Sequence, residues 1–430
     1  VHNVSVYTGW DSGAVEAGFD EPGPLFFVLT NSRGLTAEET RALHTEAGRA
    51  IVRAAGKKGR DFIVISRSDS TLRGHYPLET LTLKETMEAE GAPPFDGEII
   101  CPFLIEGGRY TAGNIHYVKT GDTLVPAART EFAEDKTFGY RHSDLAEWVE
   151  EKTGGAFPAS GVRSVSIEDL RSGGTERAAA VLEGVEGFGK VIVNALDYDD
   201  IKVFCAALYQ VLDRGKRFMI RSAAAVPKVL GGVSGRPLLS RDDLVDRGNP
   251  RGGLIVIGSH VRKTTRQLEC LLQKKNIVPV EFNTHLAADE EGFGREIRRV
   301  QTLCNESVEA GKTTVVFTSR KRFDLNTGNR EDELRVSMKI AAAVTSFVSS
   351  LPGKPRFIVA KGGITSSEIG TAALGVKRAL VLGQVLPGVP VWLTGSESRF
   401  PGTPYIIFPG NVGEDDSLKR IADLLEQEET

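Results

Sequence analysis

Phe357-Ile-Val-Ala-Lys-Gly-Gly-Ile-Thr-Ser-Ser367 decides the fold class. Its apolar start reads as a buried strand, and it runs at once into two glycines, three hydroxyl side chains and a helix predicted from about Ser366 to Leu374. Glycines let backbone N–H groups approach a phosphate closely, and a helix start adds unpaired donors and partial positive charge. A plain strand-to-helix turn uses the same residues, so this stretch alone leaves both readings open. Two companions add weight. Leu254-Ile-Val-Ile-Gly-Ser-His260 is a second strand ending in Gly-Ser before a helical segment with Thr264, Thr265, Arg266 and Gln267. Ile406-Ile-Phe-Pro-Gly-Asn-Val-Gly413 is a third apolar run ending in glycines. In open α/β sheets, ligands sit at such strand ends, so three of them could converge on one nucleotide.

Working outward, short β-branched runs at Phe62–Ile65, Val191–Val193, Phe218–Ile220 and Thr314–Phe317 alternate with helix-period segments. That alternation predicts an α/β protein with mostly parallel sheets flanked by helices. Thr36-Ala-Glu-Glu39 is a capping box opening a helix to about Ala55. A chain of 430 residues exceeds what one core accommodates, so two domains are expected. Their ranges are 1–235 for a substrate domain and 252–430 for a nucleotide domain, with the turn-rich stretch 236–251 as linker. Gly311-Lys-Thr-Thr314 lacks the upstream glycine of a P-loop, since Glu306 stands there, and it precedes its strand. Gly292-Phe-Gly294 lacks the third glycine of a dinucleotide fingerprint.

Composition narrows the function classes. The formal net charge of −4, without a Lys/Arg block, gives no field to hold a nucleic acid. No apolar run approaches the roughly 20 residues that cross a bilayer, so no membrane partner is expected. Cys101, Cys205, Cys270 and Cys304 are scattered without ligand spacing, which fits reduced thiols in a cytoplasmic protein.

The N-terminal half has another character. Phe62-Ile-Val-Ile-Ser-Arg-Ser-Asp-Ser-Thr-Leu-Arg-Gly74 unloads Arg67, Asp69, Ser70, Thr71 and Arg73 in one turn. Arginine matches a carboxylate bidentately, while Asp and Ser suit hydroxyls, so the set fits a hydroxylated acid. An Arg–Asp pair tying the loop together is the alternative. Pro102-Phe-Leu-Ile-Glu-Gly-Gly-Arg-Tyr-Thr-Ala-Gly-Asn-Ile-His-Tyr117 adds Glu106, Arg109, Thr111, Asn114 and His116 around three glycines. Of these we take Arg109, Asn114 and His116 as substrate-binding candidates, although a lone histidine is more often structural.

At these residues the chain resembles the four-carbon acid sugar kinases, which phosphorylate threonate-, erythronate- or oxo-tetronate-type acids with ATP. The resemblance runs in order through SRSDSTLRG at 66–74, GGRYTAGNIHYV at 107–118, RSAAAVPKVLGG at 221–232, VIGSHVRKTTRQLE at 256–269, VAKGGITSSEI at 359–369, VLGQVLPGVP at 381–390 and PGNVG at 409–413. It implies a sugar-acid domain, an ATP domain and an active site in the interdomain cleft. It implies ATP contacts at Ser259, at Gly362, Gly363, Ile364 and Thr365, and at Gly410, to which we add the neighbouring Ser366, Asn411 and Gly413. It implies substrate contacts around Arg67, Asp69, Ser70 and Arg73, with Arg67 where the family often has lysine. The expected mechanism places Mg²⁺ between the ATP phosphates, with metal ligands unassigned, and uses Asp69 to orient or deprotonate the acceptor hydroxyl. A homodimer is a further expectation of the resemblance. The family's opening Asp-Asp-x-Thr-Gly strand has no counterpart here, and Val4-Ser-Val-Tyr-Thr-Gly9 resembles the strand that follows it. The alternatives are a non-catalytic sugar-acid or nucleotide binding protein of this fold and a doubly wound oxidoreductase.

Overall fold

The structure, a computed structural model, describes residues 1–321, 323, 330–410 and 412–426. Its contacts divide the chain into two units, Val1 with Gly9–Gly235 and His2–Thr8 with Arg236–Thr430.

In the first unit, five parallel strands lie in the order Ile65–Arg67, Phe218–Ser222, Gly97–Cys101, Gly189–Val193 and Arg163–Val165. Every residue of Gly97–Cys101 and Phe218–Ser222 is buried, as expected for parallel strands covered on both faces. Ile99, Val191 and Ile220 pack with Phe204 and Leu208 on one side, while Ile100 and Ile192 pack with Leu72 and Trp148 on the other. The apolar run at Phe62–Ile65 becomes a strand only at Ile65, because its ladder with Phe218–Ser222 starts at Ile65 opposite Ile220. The capping box closes as expected: Thr36 Oγ1 accepts from the Glu39 N–H at 3.2 Å, and the Glu39 carboxylate accepts from the Thr36 N–H at 2.8 Å. The helix it opens runs Ala37–Lys58 and stops at Gly59, whose φ of 58° suits glycine.

Arg109–Ala112, Ile115–Thr120 and Thr123–Pro126 form a separate antiparallel sheet. Gly113 (φ 56°) and Asn114 (φ 63°) make the two-residue turn between the first two strands, where both central residues need positive φ.

In the second unit, Ile277–Phe282, Thr313–Thr318, Leu254–Ile257, Ile358–Lys361 and Pro404–Phe408 pair in parallel in that order. Val389–Thr394, Arg378–Leu386 and Val4–Tyr7 continue the sheet antiparallel, so this sheet is mixed where a mostly parallel one was expected. By its contacts Val4–Tyr7 falls with the second unit. It pairs with Arg378–Leu386, Val4 opposite Val381 and Tyr7 opposite Arg378, which covers an otherwise open ladder edge. The stretch 236–251 is not a free linker. Leu239, Leu244 and Val245 are buried in the second unit's core, and Leu239 N–H donates to the Gln384 carbonyl at 2.8 Å. Among the described residues, no helix is long and apolar enough to cross a membrane.

Candidate functional site

The three strand ends singled out in the C-terminal half belong to adjacent parallel strands, so they stand side by side at about 4.8 Å spacing. Gly258 N–H donates to the Lys361 carbonyl at 3.2 Å, and Gly362 N–H to the Phe408 carbonyl at 2.9 Å. Close approach then explains the glycines. A Cβ at Gly258 would lie 2.2 Å from Thr365 Oγ1, and one at Gly362 would lie 3.1 Å from the same oxygen. One at Gly410 would lie 3.1 Å from Ser259 Oγ. The Thr264 hydroxyl is 3.2 Å from both Ser259 Oγ and the Gly410 carbonyl. Gly362 also holds φ 126°, a conformation that L side chains rarely adopt. Ser259, Gly362, Thr365 and Gly410 are thus brought together.

The helix after Gly362 starts at Gly363, not near Ser366, so the N–H groups of Gly363, Ile364 and Thr365 fall in its unpaired first turn. Ile364 is 65% exposed and Val261 48%, an unusual exposure for such side chains at the starts of two helices flanking the cradle. Ser366 serves the scaffold instead. It is buried, its hydroxyl donates to the Ala360 carbonyl at 2.8 Å, and its own carbonyl accepts from Tyr405 at 2.6 Å. Gly413 (φ 85°) turns the chain against Ser417 and Gln267. Asn411 lies outside the described residues.

Two further side chains shape this cradle. Arg320, beyond the neighbouring strand Thr313–Thr318, donates through Nη2 to the Ser259 carbonyl at 2.6 Å and to Thr265 Oγ1 at 3.0 Å. Lys361 is fully buried, and its Nζ donates to the Pro409 carbonyl at 2.7 Å. Burial, with Lys263 nearby, pushes its ammonium down to about 7. The only sequence signal for Lys361 is a charge closing an apolar strand.

In the first unit, the turn after Ile65–Arg67 is organised on Asp69. Its Oδ2 accepts from Arg73 Nε at 2.8 Å and from Thr71 Oγ1 at 2.5 Å, and Arg33 Nη1 stands 3.6 Å away. Burial raises the carboxyl's pKa, but Arg73, Thr71 and Arg33 outweigh it and hold the group below the usual carboxylate range. Arg73 also faces Asp135 at 3.8 Å. The guanidinium groups of Arg73 and Arg109 lie 5.0 and 5.5 Å from the Phe132 ring centroid. Arg109 Nε is buried with no hydrogen-bond partner among the described residues. Tyr140 O–H donates to the Thr71 carbonyl at 3.0 Å, which pins the same turn. Arg33, Phe132, Asp135 and Tyr140 were invisible from sequence because each comes from a distant segment.

Two candidates are committed elsewhere. His116 is fully buried, with Nε2 2.8 Å from the Ser70 carbonyl and Nδ1 3.0 Å from Thr111 Oγ1. Burial pushes it down to about 4, so it is neutral, and a carbonyl only accepts; Nε2 therefore carries the proton. It anchors the Ser70 carbonyl. Asn114 holds the hairpin turn: its Oδ1 accepts from Ser164 at 2.6 Å and from Asn194 at 3.0 Å. Arg67 is exposed at its strand end, and Ser70 is half-buried.

Among the described residues, no group of three or more His, Cys, Asp or Glu side chains is placed to hold a metal. The cysteines are free, and burial pushes the Cys101 and Cys304 thiols up to about 12, so neither is a poised nucleophile.

Comparison with known proteins places both halves. A family model described as a sugar-binding N-terminal domain matches residues 4–230, and one described as a nucleotide-binding C-terminal domain matches residues 254–418. No curated protein matches the chain. A Salmonella typhimurium LT2 structure described as a candidate tRNA synthase shares the fold at TM-score 0.69 and 15% identity, over 98% of this chain and 93% of that one. A Haemophilus influenzae protein from a family of unknown function does so at TM-score 0.60 and 15% identity, over 98% and 94%. Over nearly its whole length, the chain thus belongs to the family built of a sugar-binding N-terminal domain followed by a nucleotide-binding C-terminal domain.

Proposed function

We propose that this protein is an ATP-dependent kinase that phosphorylates a hydroxyl of a four-carbon sugar acid. The observation that carries the reading is the cradle of Ser259, Gly362–Thr365 and Gly410, made by three adjacent parallel strand ends. Phosphoryl transfer asks a protein mainly for positioning and charge stabilisation, and backbone N–H groups freed by glycine supply both. ATP phosphates lie on the N–H groups of Gly363, Ile364 and Thr365, with Ser259 held for them by Arg320.

The Asp69 turn holds the sugar acid. Arg73 is occupied by Asp69, so the acid's carboxylate goes to Arg109, whose Nε has no partner among the described residues, assisted by the exposed Arg67. Asp69 Oδ2 is taken by Arg73 and Thr71, which leaves Oδ1 to accept from the reacting hydroxyl. Because Asp69 is held ionised, it orients that hydroxyl and takes its proton late in the transfer.

An ADP-release assay across a panel of four-carbon acids tests this. One or more acids should stimulate ADP formation over the water rate, and a panel without any stimulating acid overturns the reading.

A further inference from the structure

We propose that Lys361 positions the nucleotide cradle and that nucleotide phosphates bind with uptake of one proton by its amine. The inference rests on the nucleotide-binding reading and adds to it a residue and a proton linkage.

Lys361 closes the central strand of the cradle, between Leu254–Ile257 and Pro404–Phe408. Its side chain is wholly buried, with Nζ 3.7 Å from the Phe408 ring centroid. Both of its hydrogen bonds go to the loop that carries Gly410, 2.7 Å to the Pro409 carbonyl and 3.5 Å to the Val412 carbonyl. A cation on Nζ strengthens these bonds and so fixes Gly410 against Ser259. Among the described residues no carboxylate pairs with it, although buried cations ordinarily have a partner. The flanking strands, LIVI and PYIIF, carry no charged residue, and the loop's described residues carry none. The charge that faces it is Lys263, on the helix Arg262–Leu271, and it has the same sign.

In the free cradle the Lys361 amine therefore faces a like charge and, among the described residues, no anion. A polyphosphate supplies one. In the free protein the amine is poised at about 7, so at pH 8 roughly nine-tenths of it is neutral. Phosphates on the cradle favour the ammonium, so a solvent proton joins the amine as the nucleotide binds. Affinity then falls about tenfold per pH unit well above neutrality.

The experiment is calorimetric titration of ADP and ATP into the full chain, in buffers of different ionisation enthalpy, at about pH 6 and pH 8. Nucleotide phosphates are essentially fully ionised by pH 8, so a proton taken up there belongs to the protein. The wild type should take up close to one proton at pH 8 and little at pH 6. Lys361→Met should bind more weakly without uptake, and Lys361→Arg, permanently charged, should bind with a flat pH profile and no uptake. If Lys361→Met does not fold, the arginine variant and the wild-type proton count decide. Binding without proton uptake by the wild type, or unchanged uptake in Lys361→Arg, overturns the inference and leaves the nucleotide reading standing. A wild type that binds neither nucleotide at either pH overturns both.

Discussion

Gly258 and Thr365 share a space that admits only one side chain: a Cβ at 258 would stand 2.2 Å from Thr365 Oγ1. The relationship ties the end of one cradle strand to the helix that follows the next. Gly258→Ala must displace Thr365 from the cradle. Overpacking of this kind costs about 1–3 kcal/mol, so a drop in Tm is expected together with at least tenfold weaker ADP binding. Adding Thr365→Ala should restore the Tm but not the affinity, and a double-mutant cycle reads the coupling.

Asp69 gives a prediction about catalysis and one about pH. Asp69→Asn should lower kcat by a factor of about 10² or more with a small change in KM, since the group acts on the reacting hydroxyl. Its folded-state pKa is depressed, so its contribution to stability is present above the ordinary carboxylate range and is lost as pH falls through the lower folded value. Denaturant melts should show a wild-type acid loss that Asp69→Asn lacks.

His116 makes the opposite claim about activity. It is neutral above about 4 and bonded on both ring nitrogens, so no inflection near its ordinary value should appear in kcat against pH. Stability behaves differently. The unfolded imidazole protonates below about 6.5 while the folded one resists until about 4, so stability is full above the upper value and falls across that window. Urea melts of wild type and His116→Gln at steps from about pH 4 to 7 would show it; a slope unchanged by the substitution contradicts the assignment.

The sequence was most legible where chemistry is local. Leu254–Ile257 lies where its β-branched run places it, and the Thr36 capping box opens its helix because the box is complete within four residues. The glycine-bearing strand ends were legible as ends, but their adjacency depends on strand order, which no local pattern encodes. Val4–Tyr7 was legible as a strand and not in its partner, since Val-Ser-Val-Tyr says nothing of an edge at Arg378–Leu386. Around Asp69, Arg73 and Thr71 were in the same turn, whereas Arg33 and Asp135 arrive through tertiary structure. His116 and Asn114 make hydrogen bonds within the protein that the sequence did not reveal, because polar side chains beside glycines look alike whether they face a ligand or a buried carbonyl.

Lys190 and Glu98 form a wholly buried ion pair at 2.7 Å, with Lys190 Nζ 4.0 and 3.8 Å from the Phe157 and Phe188 centroids. Removing one charge leaves the other stranded. Lys190→Met alone should cost about 3–5 kcal/mol, whereas Lys190→Met with Glu98→Leu should recover most of it. Chemical denaturation of the single and double variants checks this, and additive losses would contradict it.

The central claim is that a phosphoryl group passes from ATP to a four-carbon sugar acid. Mass spectrometry of the acid pool after incubation with ATP and the full chain tests it most directly. One acid should carry a single added phosphoryl group, formed in step with ADP and reduced by at least about 10² with Asp69→Asn. ADP formed while every acid stays unmodified would contradict it.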